Sequence, residues 1–307
     1  MRFSQQGEVL RVLTPAKINL SLRILGRRPD GYHDLQTLMV SVGLSDVLQF
    51  SPAPFPEVSL RLFSGLPGAA QIPVDDRNLI LKAARLLQQE MSPRQGVEIT
   101  LWKRIPSEAG LGGGSSDAAA TLMALNRYWR LNLPSNRLHE LAAKLGSDVN
   151  FFLDSPPAAF CTGRGEKINA WSLPRPLHVV IIKPPFGLST GRVFQAWGKR
   201  ESHENSTNHQ PDNDPFQQFR VCHPPSKGVR KLQSLLQNDL EPPARTMTPD
   251  LEELLSRLNH LDVIGSGMTG SGSACFALCR TARQARTIAG RCRNWRMGQV
   301  FVVSSGV

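Results

Sequence analysis

Between Ile105 and Thr121 the chain reads IPSEAGLGGGSSDAAAT, with glycines at 110, 112, 113 and 114 followed by two serines and a run of helix formers. Glycine at such positions lets backbone amides approach a ligand with no Cβ in the way. A helix starting directly behind them offers unpaired N–H groups and the positive end of its dipole. The segment therefore reads as an anion cradle rather than a mobile turn, entered from a half-buried strand in which Val97, Ile99 and Leu101 alternate with Glu98, Thr100 and Trp102. Two common phosphate loops do not fit. The Walker pattern needs a lysine after its last glycine, where Ser115 stands. The dinucleotide fingerprint, started at Gly110, would put Ser115 in place of its third glycine, and it belongs to a first βαβ unit with an acid about 20 residues on.

At 307 residues the chain is twice the ~150-residue prior for one domain, so two lobes are expected. No apolar run approaches the roughly 18 residues needed to cross a bilayer, and Met1 to Leu10 lacks the apolar region of a secretory signal. The five cysteines (161, 222, 275, 279 and 292) form no CxxC pair, which argues against a disulfide framework or zinc ribbon and for a reduced, cytoplasmic protein. Net charge is +11, a balance suited to anionic partners. Arg280, Arg283, Arg286, Arg291, Arg293 and Arg296 cluster near the C-terminus with no acid among them. The cluster suits either a nucleic-acid patch or a solvated helix face, and the lack of interleaved aromatics favours the face.

Patterning along the chain predicts strands at Val9–Leu13 and Ile18–Ile24, a Pro-Asp-Gly turn before His33, and a helix over Asn78–Met91. A helix from about Ser116 carries Ala118, Leu122, Leu125 and Trp129 on one face. The next is capped by Ser135 and stopped at Gly146, with Leu138, Leu141, Ala142 and Leu145 inward. A buried strand follows at Val179–Ile182. A polar segment over 199–227 reads as a surface insertion, Thr248-Pro249-Asp250 opens a helix to about Leu261, and a second glycine-rich stretch spans Gly265–Leu278. The mixture lacks a clean βαβα rhythm, so the fold class is α+β in two lobes, with a boundary near 155–165.

Three segments in order, Pro15-Ala16-Lys17-Ile18-Asn19-Leu20, the Pro106–Asp117 loop and Met268-Thr269-Gly270-Ser271-Gly272-Ser273-Ala274-Cys275, resemble the three motifs of the GHMP kinases. GRRPDGYHDLQTLM at 26–39, LGSDVNFFL at 145–153 and NDLEPPA at 238–244 narrow the resemblance to the branch that phosphorylates a diphosphocytidyl sugar alcohol on the non-mevalonate isoprenoid route. It runs from about residue 9 to residue 304. It implies a two-lobe fold: an N-terminal lobe like ribosomal protein S5 domain 2 (1–160), a ferredoxin-like C-terminal lobe (161–307), and a site in the cleft between them. Substrate ATP, Mg²⁺ and a small cytidyl diphosphate sugar alcohol are implied partners, with neither a membrane nor nucleic acid expected, in a monomer or weak homodimer.

The resemblance makes Asp148 the base for the acceptor hydroxyl and Lys17 its ion-pair partner beside the transferred phosphoryl group. Read alone, Asp148 is a turn residue behind Gly146, and Lys17 is a lysine in an apolar strand that either finds a partner or snorkels. Pro106, Ser107, Glu108, Ala109, Gly110, Leu111, Gly112, Gly113, Gly114, Ser115 and Ser116 would wrap the ATP phosphates. Asn78 and Lys103 would flank the adenosine, although a lysine ending a strand is as ordinarily solvated. Tyr32 would stack on cytosine with Phe194 opposite and His33 bonded to the base edge, while Asn19 and Thr190 would meet the erythritol phosphate portion. No residue is assigned as a metal ligand. Glu108 departs from the family pattern, in which small residues are common; it either points outward or helps to hold Mg²⁺. Other readings are a kinase for another small alcohol, such as homoserine or a sugar, which would leave Tyr32 and His33 without a base, and a basic nucleic-acid-binding protein.

Overall fold

A computed structural model describes residues 1–54, 56–68, 71–91, 95–173, 175–204 and 228–306, so the polar insertion from 205 on lies outside the described residues. The first half supplies β1 (Arg2–Gln6), β2 (Val9–Arg27), β3 (His33–Ala53), β4 (Val58–Ser64), α1 (Leu79–Met91), β5 (Gly96–Lys103), α2 (Gly113–Tyr128), α3 (Ser135–Leu145), α4 (Val149–Asp154), β6 (Ala158–Gly163) and β7 (Lys167–Trp171). The second supplies β8 (His178–Lys183), α5 (Thr190–Glu204), α6 (Gly228–Leu235), β9 (Gln237–Asn238), α7 (Glu241–Met247), α8 (Pro249–Asn259), β10 (Gly265–Met268), β11 (Cys275–Cys279), α9 (Ala282–Asn294) and β12 (Gln299–Ser304).

The first sheet runs β1-β2-β3-β5-β4, with β6 and β7 continuing from β3 and β9 added in parallel to β2. The two strands expected at 9–13 and 18–24 are one, β2. Pro15, which donates no ladder bond, sits at a register shift between Pro15 and Ala16, so the strand bends there instead of ending. A second shift falls between Asn19 and Ser21. The sheet continues through β7 to Trp171 and reclaims Gln237–Asn238, so it reaches past the boundary expected at 160 and 161.

The second sheet is β10-β11-β8-β12. Its central strand explains the unbroken apolar run at 179–182. Val179 and Ile181 face one core with Ile18, Leu38 and Val40 of the first sheet, while Val180 and Ile182 face another with Leu254, Leu255 and Ile288 of α8 and α9. A third core joins β2, β3 and β5 to α1, α2 and α4 through Phe50, Leu87, Leu122, Phe151 and Phe152. The layers are thus helix, sheet, sheet, helix, the α+β two-lobe architecture expected.

Several local expectations shift. Helix α2 begins at Gly113, with Gly112 at φ 69° as its cap, so the last glycines of the loop are already helical. Ser135 does not cap α3; Pro134, fixed near φ −70°, takes that position and Ser135 is the first helical residue. Arg283, Arg286, Arg291 and Arg293 fall on the wet side of α9, whose Ala285, Ile288, Ala289 and Cys292 are buried, and Arg280 and Arg296 flank it. Arg280, Arg283, Arg286, Arg291, Arg293 and Arg296 are all exposed, which is the solvated face.

Candidate active site

Lys17 lies on β2 with only 3% of its surface exposed. Its Nζ is 3.3 Å from Asp148 Oδ2 and donates to Asn19 Oδ1 at 2.6 Å. Asp148 directly precedes α4, presented by the Gly146-Ser147 step behind α3. The lysine neither snorkels nor lacks a partner, and the ion pair expected of the two residues is present. Its stem lies under Gly112, where a Cβ would come within 3.0 Å of Lys17 Cγ and Cε. The Lys17 backbone N–H donates to Leu111 O at 3.0 Å, tying the strand to the phosphate loop.

Loop 106–112 is clasped by the second glycine-rich loop from the other lobe. Ala274 N donates to Ala109 O at 3.2 Å, Ser273 N to Glu108 O at 3.4 Å, and Thr269 Oγ1 to Gly110 O at 3.4 Å. Thr269 Oγ1 also accepts from Asn19 N at 2.8 Å. One fully buried hydroxyl thereby joins the strand that carries Lys17, the phosphate loop and the C-terminal lobe. Glu108, at φ 50°, crosses to the turn at 184–187, because a Cβ on Gly187 would collide with its carboxylate.

Lys103 is not solvated. It is 6% exposed and its Nζ lies 2.5 Å from Asp46 Oδ2 and 2.8 Å from Asp117 Oδ2. Asp117 also accepts from Thr14 Oγ1 at 2.7 Å, and Asp46 accepts from the backbone N–H groups of Arg104 and Ile105. Burial, then the neighbouring charge of Asp117, pushes the Asp46 carboxyl up to about 7 against the opposing pull of Lys103. Burial lowers the Lys103 ammonium, but the two carboxylates outweigh it and the net direction is up. The cluster locks β3, β5 and α2 beneath the loop, and Lys103 still lines the cleft above. Asn78 does not line that cleft. Its amide caps α1, accepting from Ile80 N at 2.9 Å and donating to Pro73 O at 2.7 Å. Ser116 also lies below the lining, its hydroxyl buried without a hydrogen-bond partner among the described residues.

At the other end of the cleft, His33 stacks on Phe194 with ring centroids 5.0 Å apart and packs edge-on to Trp197. One face of Phe194 is therefore covered by His33, where a base facing Tyr32 was expected. Tyr32 is 53% exposed, with the guanidinium of Arg164 held 4.7 Å from its ring centroid. Thr190 shares a 2.8 Å hydrogen bond with Ser271. A single cleft of about 1390 Å³ joins these residues to Lys17, Asp148, Asn19, Lys103 and Pro106 to Ser115. Of the residues singled out in the sequence, only Asn78 and Ser116 fall outside its lining. Sequence reading missed Arg164, Thr37, Thr269, Asp46 and Asp117; Asp117 and Thr269 lie inside the glycine motifs and Thr37 inside the 26–39 segment, while Arg164 and Asp46 carried no signal.

The GHMP kinases N terminal domain model matches residues 78–161, and the GHMP kinases C terminal model matches 225–295. A protein of Pelotomaculum thermopropionicum named 4-diphosphocytidyl-2-C-methyl-D-erythritol kinase is 38% identical over 93% of this chain and 94% of its own length. One of the same name from Delftia acidovorans is 40% identical over 87% of this chain and 85% of its own. The crystal structure of a 4-(cytidine 5'-diphospho)-2C-methyl-D-erythritol kinase superposes with TM-score 0.72 at 33% identity, covering 97% of this chain and 99% of the other.

Proposed function

The chain belongs to the 4-diphosphocytidyl-2-C-methyl-D-erythritol kinase family within the GHMP kinases, and from that membership we propose how its own residues carry out phosphoryl transfer from ATP to the 2-hydroxyl of that cytidyl diphosphate sugar alcohol. The observation that carries the reading is the Lys17–Asp148 pair, in one cleft that also holds a glycine loop and an aromatic pocket. At about 1390 Å³ the cleft exceeds the roughly 300–1,000 Å³ of a single-ligand pocket, which suits two substrates held end to end.

Phosphoryl transfer asks mainly for positioning and charge stabilisation. The loop amides at the start of α2 and the Lys17 ammonium meet the phosphate oxygens. Asp148 accepts the proton of the 2-hydroxyl as its oxygen bonds to the γ-phosphorus, and the bond from that phosphorus to the bridging oxygen breaks with ADP leaving. Mg²⁺, when bound, neutralises phosphate charge. Among the described residues no cluster of three His, Cys, Asp or Glu forms a ready metal site, and the buried Ser116 hydroxyl lies below the cleft rather than in it. The Tyr32, His33 and Phe194 end receives cytosine once His33 moves off Phe194. Arg164 places positive charge near the diphosphate. The reading carries with it a cytoplasmic enzyme acting as a monomer or weak homodimer; no helix among the described residues is long and apolar enough to cross a membrane.

The test is ADP release with Mg-ATP and, one at a time, the diphosphocytidyl compound, homoserine, mevalonate and galactose. Turnover with the first alone is expected, and turnover with another alcohol alone would overturn the cytosine pocket. Asp148→Asn should keep ATP binding and lose about 10²–10⁴-fold in kcat. A rate near wild type would remove Asp148 as the base.

A further inference from the structure

Asn19 Oδ1 and Asp148 both face the same Lys17 ammonium, a group with three donors and no acceptor. An amide can present either its oxygen or its NH₂ to such a group, and only the oxygen is tolerable. The choice is made one residue further back, by Thr37. This threonine is 1% exposed on β3, opposite Leu22 in register. Its Oγ1 lies 2.6 Å from Ser21 O, a carbonyl that can only accept. The single hydroxyl proton is therefore committed to Ser21, and the lone pairs of Oγ1 turn to Asn19 Nδ2 at 2.8 Å. With NH₂ held by Thr37, the amide oxygen must face Lys17.

The register shift between Asn19 and Ser21 makes this geometry possible. The slip brings the Ser21 carbonyl and the Asn19 side chain to one hydroxyl.

We infer that Thr37 is a positioning residue for catalysis: through the forced orientation of Asn19 it fixes the Lys17 ammonium between Asn19 and Asp148, leaving the third ammonium hydrogen for the transferred phosphoryl group. Although Thr37 borders the cleft, it is 1% exposed and its hydroxyl is already engaged by Ser21 and Asn19, so it acts through Asn19. This rests on Lys17 and Asp148 being the reacting pair. Asn19 accordingly acts first as a brace for Lys17, since its amide already holds Lys17 on one side and Thr37 on the other.

Thr37→Val keeps shape and removes the hydroxyl; Thr37→Ser keeps the hydroxyl. Steady-state kinetics should show kcat down about 10-fold in Thr37→Val, with KM for ATP and for the diphosphocytidyl acceptor within about twofold of wild type, and most of the rate restored in Thr37→Ser. If the valine variant does not fold, Thr37→Ala carries the same expectation. Wild-type kcat in the variant lacking the hydroxyl, equal losses in the serine variant, or a loss confined to acceptor KM would each overturn the inference. Asp148→Asn, assayed beside them, separates the two readings. An active Asp148→Asn removes the reacting pair itself, whereas an inactive Asp148→Asn with fully active Thr37→Val removes only the role of Thr37.

Discussion

Gly110 lies against the backbone of the other lobe's glycine loop, and Gly110→Ala tests whether that closeness matters. Its φ of +71° lies in the left-handed region, which costs an alanine about 1–2 kcal/mol. A Cβ there would collide with the carbonyl oxygen of Thr269 and stand 3.1 Å from that carbonyl carbon and 3.3 Å from Gly272 N. Every one of those atoms is backbone, so no side chain can rotate away and the loops must part by on the order of 1 Å. Parting them stretches the bond from Thr269 Oγ1 to Gly110 O and the one from Asn19 N to Thr269 Oγ1, and the second leads directly to Lys17. Strain and overpacking together come to about 2–4 kcal/mol of stability. A misplacement of that size in the site costs roughly 10²-fold in rate. The assay is kcat/KM for ATP at saturating acceptor, with thermal unfolding followed on the same samples. Gly290→Ala is the control: it lies on α9 with nothing within 4 Å of its added Cβ, and it should be neutral or slightly stabilising. A Gly110→Ala enzyme with wild-type Tm and kcat/KM would refute the inter-lobe clasp.

Tyr32→Ala should raise the acceptor KM about 10–100-fold, the equivalent of about 1–3 kcal/mol of base stacking, and leave the KM for ATP unchanged; equal losses on both substrates would make Tyr32 structural. Arg164→Met should raise the acceptor KM several-fold at low salt, with the difference shrinking as ionic strength rises, since this half-exposed charge is screened; a salt-independent effect would point to lost packing. The folded-state value of Asp46, about 7, lies above its ordinary 3.8, so its contribution to stability is present in acid and lost as pH rises through about 7. The Tm of wild type minus that of Asp46→Asn should therefore grow as pH falls from 8 to 5, and a flat difference would discard the raised carboxyl. Burial lifts Cys161 to about 12 and Cys279 and Cys292 to about 11, with Cys275 also well raised. A Cys222→Ser protein should show no thiol reacting with an aromatic disulfide reagent at pH 8 until it unfolds.

What the sequence disclosed follows from how far apart the cooperating atoms are in the chain. The phosphate loop was legible because its requirement is local: glycines for backbone approach and a helix start beside them, all inside residues 106–117. The GYH and GSDV segments were legible only by resemblance, since nothing in an Asp behind a glycine distinguishes a base from a turn. Lys103 shows why local reading fails beyond that. At the end of β5 it has the pattern of a solvated lysine, yet Asp46, 57 residues away, meets it in a buried cluster. That β7, Lys167–Trp171, completes the first sheet was not legible because it alternates weakly and is mostly wet, so it gives no apolar strand signal. Thr37 is the extreme case. Its function depends on a one-residue slip in β2, on which atom of Asn19 faces it, and on the Ser21 carbonyl that takes its proton. The periodicity of β3 requires only that a small residue fit at 37. The hydroxyl becomes intelligible when the donors around Lys17 are counted, and that count is possible only with the strands in register.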